Sequence, residues 1–335
     1  MTDNTDDDMN VGRSADFARD TSLETVLAEI NGSIPAIMRP PYSQPKYPAV
    51  LILGAPRSGT TLMSQWLCDS GKFAFASNLI ARFHANPYFG ARVQQALHTY
   101  DPGGQIFGTQ TGEGFSSDLG RTKGALAPSE FWYFWRRFFK FGTINKLSDS
   151  ELADVDSAGF LEGLAGLEAA QSLPIVTKAM NLNWNLPFLD QIMPNVVFVN
   201  VKRDPFFNAQ SLLFARERFF DDRSRWYSFK PPEYEQLKDK PALEQVVGQI
   251  YHNRTAVEEG LSMVPDARKV TIEYSDFCTN PAQVYTAISS KMGQQGYALP
   301  QEYSGPASFK ESRSIKLSSQ DAEEMKRLIA SYNFA

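Results

Sequence analysis

An unbroken apolar run, Ala49-Val50-Leu51-Ile52-Leu53, passes straight into Gly54-Ala55-Pro56-Arg57-Ser58-Gly59-Thr60-Thr61-Leu62. A short run with no polar alternation reads as a strand covered on both faces, the signature of a parallel sheet wrapped by helices. The glycine-bearing turn and the helix start "TTLMSQWL" complete a strand–loop–helix unit. Set against the phosphate-loop pattern G-x-x-x-x-G-K-[ST], the segment fits at Gly54, Gly59 and Thr61, but Thr60 stands in the lysine's place. Such a loop offers a tetrahedral anion a nest of backbone N–H groups and the positive end of a helix. Gly54 and Gly59 let the backbone approach closely, Thr60 and Thr61 add hydroxyls, and Arg57 adds a planar charge able to fork onto two oxygens. An ordinary Gly-Pro turn between strand and helix is the bland alternative.

Three further apolar runs rich in β-branched residues read as buried strands: Pro174–Lys178, Val196–Val201 and Lys269–Tyr274. Helical or loop sequence fills the intervals, so the expected fold class is α/β, a central parallel sheet with helices on both faces. The expected organisation is a tail and extended arm over 1–46 and one α/β domain over 47–335, with helical insertions near 79–173 and 209–262. Residues 1–20 read as a disordered tail, Leu23–Ile30 as a short helix, and Pro35–Pro48, with five prolines, as an extended arm. Within 79–173, Pro128–Phe141 reads as an aromatic helix with Ser129 as its cap, and Ser319–Tyr332 as a C-terminal amphipathic helix.

Composition narrows the function classes. With 33 basic against 38 acidic residues the net charge is −5, which argues against a nucleic-acid-coating surface. Two cysteines, Cys68 and Cys278, cannot build a disulfide framework and read as buried thiols of a reducing compartment. The acidic start "MTDNTDDDMN" lacks the basic-then-apolar pattern of a signal peptide, and no stretch reaches the ~18 apolar residues of a membrane span. The expectation is a soluble cytoplasmic protein; an oligomer is compatible with the sequence.

A second anion site is readable in "VFVNVKRDPFFNAQSLLFAR" (Val197–Arg216). Its strand ends at Lys202-Arg203-Asp204-Pro205, and a helix expected from about Asn208 carries Ser211. Ligands of open α/β sheets bind beyond the carboxyl ends of strands, so Arg203 and Ser211 make a second pocket, unless this is simply an exposed charged turn. With its Pro56–Leu62 loop, Arg203 with a serine eight residues later, and "EYSDF" (Glu273–Phe277) after a later strand, the chain resembles the PAPS-dependent sulfotransferases. Their donor is 3′-phosphoadenosine 5′-phosphosulfate (PAPS). The resemblance spans about residues 47–280. It implies that Arg57, Ser58, Gly59, Thr60 and Thr61 hold the 5′ end of the donor and that Arg203 and Ser211 hold the 3′-phosphate. Tyr274 would neighbour the adenine, and Lys178 would lie near the bridging oxygen, where it stabilises charge on the departing phosphate. It also explains Thr60: a donor without a β,γ-diphosphate needs neither the lysine nor a magnesium there, and no metal is expected. The product would be adenosine 3′,5′-bisphosphate, and the acceptor would approach from the two helical insertions. Basic C-terminal loops often close over the 3′-phosphate in this family; Lys310, Arg313 and Lys316 make a loose match, and a solvated basic stretch fits equally well.

The resemblance thins at the general base that transfer to a hydroxyl needs. The histidine that small-molecule sulfotransferases place two residues after the strand-end lysine is Met180 here. The glutamate of tyrosylprotein sulfotransferases falls in Phe75–Phe83, which has Asn78 and no carboxylate. The candidates are His84, which titrates near neutrality unaided, and Glu130, whose aromatic setting would raise its pKa, with Glu113 and Asp118 next. Glu130 equally suits the start of a helix, and Lys178 a solvated strand end. The aromatics around Trp132 suit either a core or an acceptor platform. The expected function is sulfuryl transfer from PAPS to an acceptor hydroxyl, with preference for a glycan or lipid-linked sugar. The alternatives are an ATP-dependent P-loop kinase-like transferase and a non-catalytic nucleotide-binding module.

Overall fold

Every side chain of Ala49–Leu53 is buried, and the two faces of that strand serve two different cores. Ala49, Leu51 and Leu53 join one apolar cluster, Val50 and Ile52 another, as the two-residue period of a strand dictates. The computed structural model describes residues 21–34, 38–101, 103–107, 117–118, 120–300 and 302–334. The expected tail over 1–20 and Glu113 lie outside them.

In chain order, α1 (Thr21–Ser33) and the arm lead into β1 (Ala49–Leu53) and α2 (Thr60–Asp69). Next come α3 (Pro87–Gln94), the short strands β2 (Ser117–Asp118) and β3 (Arg121–Thr122), α4 (Trp132–Phe138), α5 (Asp149–Ala153) and α6 (Ser157–Gln171). They are followed by β4 (Val176–Lys178), α7 (Leu186–Ile192), β5 (Val196–Lys202), α8 (Pro205–Phe220), α9 (Tyr234–Leu237) and α10 (Ala242–Ser262). The chain closes with β6 (Lys269–Glu273), α11 (Tyr274–Thr279), α12 (Pro281–Gln294) and α13 (Ser319–Ser331).

The fold is mixed α/β with a central four-stranded sheet in the order β4-β1-β5-β6, all neighbours parallel. Beyond β4, Ala74 makes an isolated parallel bridge to Ile175. On one face α4, α6, α7 and the end of α10 pack through residues such as Phe134, Phe160, Leu189 and Leu261. On the other lie α2, α11 and α12, through Met63, Trp66, Phe277 and Ile288. A third cluster joins α8, α10 and α13. Burial of each large aliphatic side chain contributes about 1.5–3 kcal/mol, so a charged residue at Ile52 would break the sheet at its centre.

Several expectations need correcting. The interval 79–173 is not wholly helical, because β2 and β3 pair antiparallel inside it. Ser129 does not cap a helix at once. Its hydroxyl accepts from the Phe131 N–H, Phe131 turns left-handed (φ 56°), and α4 begins only at Trp132. The helix bearing Ser211 starts at Pro205 rather than Asn208, because the Asp204 carboxylate caps it through the N–H groups of Phe206 and Phe207. The arm is anchored where its Lys46 and Tyr47 N–H groups donate to the buried Glu168 carboxylate at 2.8 and 3.1 Å. Cys68 and Cys278 are buried free thiols. Among the described residues, no helix is long and apolar enough to cross a membrane.

Candidate active site

The loop after β1 needs three unusual backbone angles: φ 144° at Gly54, 68° at Arg57 and 104° at Gly59. A Cβ at Gly54 would lie 2.6 Å from both the Ser58 hydroxyl and the Val201 carbonyl, and one at Gly59 would lie 2.2 Å from the Tyr274 ring. Arg57 has no such exemption from strain and is held in place. Its carbonyl accepts from Arg203 Nη1 at 3.1 Å, and its Nε donates to Ser211 Oγ at 3.2 Å. Two buried asparagines secure the rest: Asn183 Nδ2 donates to the Gly54 carbonyl at 3.0 Å and Asn208 Nδ2 to the Pro56 carbonyl at 2.5 Å.

This bracing leaves a ready anion cradle. No side chain caps the first turn of α2, which leaves its first N–H groups without a side-chain acceptor. The Ser58 hydroxyl is buried and has no partner, and neither has Arg203 Nε. The side chain of Thr60 is buried, and its hydroxyl donates to Met180 Sδ at 3.1 Å. The methionine that occupies the expected histidine position therefore holds the loop threonine.

Lys178 ends β4 and is buried, which removes the solvated-strand-end reading. Its Nζ donates to Thr61 Oγ1 at 3.0 Å and, in a very short contact, to Glu130 Oε1. Trp132 Nε1 donates to the other carboxylate oxygen at 2.7 Å. Burial alone would push the Glu130 carboxyl up, but Lys178, its hydrogen bond, the indole N–H and Arg57 outweigh it and hold the group below the usual carboxylate range. The expectation that aromatic surroundings raise this pKa is thus reversed by the cations. Glu130 is also not a helix-start carboxylate, because α4 begins beyond it. Glu130, Lys178 and Thr61 line a small cleft with Gln65 and Gly120.

His84 is not brought to that cleft. Its ring stacks on Tyr133 at 5.4 Å, and burial, with Arg137 nearby, lowers its pKa to about 4. Asp118 lies in β2; a Cβ at Gly120, two residues on, would lie within 4 Å of Thr61, Arg57 and Glu130. Tyr274 lies over Gly59 and under the Arg203 guanidinium, 5.0 Å from its centroid, and burial first, then Cys278, pushes its hydroxyl up to about 12. It braces both anion elements. The C-terminal segment reaches the same place by its backbone: Arg203 Nη2 donates to the Ser312 carbonyl at 3.3 Å, and Gln210 bonds Ser314 and Lys316. Lys310, Arg313 and Lys316 themselves are exposed, and Arg313 pairs with Glu311. Sequence reasoning missed Asn183, Asn208 and Gln65. The repeated asparagines of "MNLNWN" just after a buried strand were the available signal for the first.

The model of the sulfotransferase family matches residues 48–295, and the chain belongs to that family. It is accordingly a transferase. Solved structures similar to it include sulfotransferase STF9 from Mycobacterium avium (14% identity, 87% of this chain and 70% of that one, TM-score 0.48). STF1 from Mycobacterium tuberculosis H37Rv (13% identity, 92% and 81%, TM-score 0.47) and a sulfotransferase from Alicyclobacillus acidocaldarius (15%, 85% and 92%, TM-score 0.43) are also similar. All three scores lie below 0.5, so membership rests on the sequence match. No curated protein matches the chain.

Proposed function

We propose that the protein is a cytoplasmic PAPS-dependent sulfotransferase acting on an acceptor hydroxyl, a sugar hydroxyl by preference, with 47–335 as its catalytic domain. The observation that carries this reading is the junction of Arg57, Ser211 and Arg203, which unites two anion-binding elements at one edge of the sheet. The residues present fit the donor: the unpartnered Ser58 hydroxyl and the uncapped start of α2 suit its 5′ end, and Arg203 with Ser211 suits its 3′-phosphate. Among the described residues no cluster of His, Cys, Asp or Glu is placed to hold a metal, and the reading assigns none.

PAPS supplies an activated sulfuryl group, which passes to the acceptor oxygen as the bond to the phosphate oxygen breaks. Glu130, ionised at neutral pH, takes the acceptor's proton. Lys178 sits between Glu130 and Thr61 and so can turn from the carboxylate toward the loop, where its charge steadies the departing phosphate. The test is thermal unfolding with adenosine 3′,5′-bisphosphate and, separately, with Mg-ATP. A native-state ligand at 100 times its Kd adds about 2.7 kcal/mol, a shift of several degrees. A shift with the bisphosphate alone supports this reading. A shift with Mg-ATP alone replaces it with a kinase-like transferase, and no shift with either removes both.

A further inference from the structure

Phe131 (φ 56°) and Ser228 (φ 72°) hold left-handed backbone without being glycine, and neither ends a helix as Ser172 and Asp221 do. Each stands directly before one member of a stacked ring pair. Trp132 follows Phe131, Phe229 follows Ser228, and the two rings lie 22° from parallel with centroids 5.6 Å apart. Such strain persists only where the surroundings over-determine it, and it collects at functional sites. On one side Phe131 is buried and stacks on Phe134 at 4.5 Å. On the other, Gln249 of α10 donates through Nε2 to the carbonyls on both sides of Ser228, Tyr227 at 2.8 Å and Phe229 at 2.9 Å. Its Oε1 accepts from Arg216 Nη2 at 2.9 Å. A guanidinium only donates, so the amide has one orientation. Gln249 and Arg216 are both buried.

What this bracing serves is the indole. Trp132 is 39% exposed, whereas Phe134, Trp135 and Phe138 of the same helix are core, so burial does not hold its ring. Its Nε1 donates to Glu130 Oε2 at 2.7 Å. The other oxygen, Oε1, is bonded by Lys178 and faces the cleft, 3.9 Å from where a Cβ at Gly120 would lie. Among the described residues, Trp132 and Lys178 are the hydrogen-bond partners of this carboxylate.

We infer that Trp132, backed by Phe229, is a positioning residue for Glu130: it holds Oε2 while Oε1 exchanges Lys178 for the acceptor hydroxyl. This rests on Glu130 being the base, and it adds which oxygen acts and what aims it. When Lys178 turns to the loop, Oε1 loses its partner. The acceptor O–H then donates to Oε1. The acceptor oxygen bonds to sulfur as the bond from sulfur to the phosphate oxygen breaks, and the proton stays on Oε1. Without Trp132 the carboxylate would have no hydrogen bond left at that moment and would be free to turn about its side-chain torsions. A misplacement of ~1 Å in a reacting group costs about a hundredfold in rate.

The experiment uses the full chain with water as the acceptor: radiolabelled PAPS is supplied alone and sulfate release is followed against pH. Trp132→Phe removes the N–H but keeps a ring beside Phe229. It should lower kcat by at least about tenfold, the value of a hydrogen bond to a charged group, with KM for PAPS within about threefold. Lys178 and Arg57, the cations that face the carboxylate, remain in this variant. Its acid limb should still move to higher pH, because a hydrogen bond to the ionised form has been lost. Phe229→Leu should change both in the same direction, and Phe229→Tyr should recover most of the loss. If Trp132→Phe does not fold, Phe229→Leu serves in its place. An unchanged rate and acid limb beside an impaired Glu130→Gln would overturn the positioning role alone. An unimpaired Glu130→Gln removes the base reading and this inference with it.

A second readout needs no turnover. Of the five tryptophan indole N–H signals in an isotope-labelled chain, the one that moves in Glu130→Gln belongs to Trp132. At about pH 8, where carboxylates are ionised, it should keep its hydrogen-bonded position in Lys178→Met and lose it in Phe229→Leu. A free-indole position in Lys178→Met, or an unmoved signal in Phe229→Leu, would also overturn the inference. Where sulfate release is too slow to measure, this signal decides.

Discussion

Arg57 Nε donates to the Ser211 hydroxyl across 3.2 Å, although 154 positions separate the two in the chain. The parallel pairing of β1 with β5 brings this about, because it sets the ends of both strands, and hence the loop after β1 and the start of α8, side by side. Each anion element therefore leans on the other.

The proposed donor reading assigns the 3′-phosphate to Arg203. Changing Arg203→Ala should weaken adenosine 3′,5′-bisphosphate by roughly 10- to 100-fold, the value of a charge-assisted hydrogen bond. Adenosine 5′-phosphate should lose much less, because only the bisphosphate carries the second anion. Calorimetry on both ligands measures the difference, and equal losses would remove Arg203 from the 3′ site.

Glu130→Gln should lower turnover by about 10²-fold or more and leave the bisphosphate melting shift in place. His84→Gln should leave turnover within a few-fold, since its ring packs on Tyr133 outside the cleft. The reverse pattern in steady-state kinetics would transfer the base role to His84.

His84 also shapes stability against pH. Its folded pKa of about 4 lies below the ordinary 6.5, so between those values the unfolded chain takes up a proton that the fold refuses. Stability should therefore fall as pH drops from 6.5 toward 4, with a slope from this group of at most about 1.4 kcal/mol per pH unit. Urea midpoints at pH 7 and pH 5 should differ less in His84→Phe than in the unsubstituted protein. The remaining slope includes His252, whose pKa burial also lowers despite the neighbouring Glu233. An identical slope in the variant would rule out His84 as a source.

Gly59→Ala should destabilise the protein by about 1–3 kcal/mol, because the residue sits at φ 104° and its new methyl would enter the Tyr274 ring. Adding Tyr274→Ala removes the clash but not the backbone strain, so the double variant should recover part of the loss in a double-mutant cycle. Strict additivity would show that the ring does not constrain the loop.

What the sequence revealed followed from local pattern. β1 could be read end to end because nothing polar interrupts it, and β4 and β5 because β-branched runs buried on both faces look alike wherever they occur. β6 was read as a buried strand too, but it lies at the sheet edge with only Ile272 buried. Boundaries slipped where a single residue decides them. Tyr274 was read as the end of a strand, but it opens α11; Asp204-Pro205, a cap followed by proline, sets the start of α8 earlier than its apolar pattern suggests. The loop, Arg203 and Ser211 were legible as motifs, but their junction is tertiary and has no sequence signature. The state of Glu130 could not be read from its aromatic neighbours, because the groups that decide it are Lys178, 48 positions away, and Arg57.

Arg203 is held by the carbonyls of Arg57 and Ser312 and by the face of Tyr274, and among the described residues no carboxylate pairs with it. Neutral oxygens aim the guanidinium without cancelling its charge. On the proposed donor reading, an arriving phosphate would meet a cation already held in place, would have no paired carboxylate to displace, and would exchange at most a carbonyl contact for an ionic one. On the same reading, the hydrogen bond to the Ser312 carbonyl would couple the C-terminal segment to that exchange. Once an anion takes over the Nη2 proton, this stretch loses a tether, and its backbone should report occupancy by faster amide exchange near Ser312.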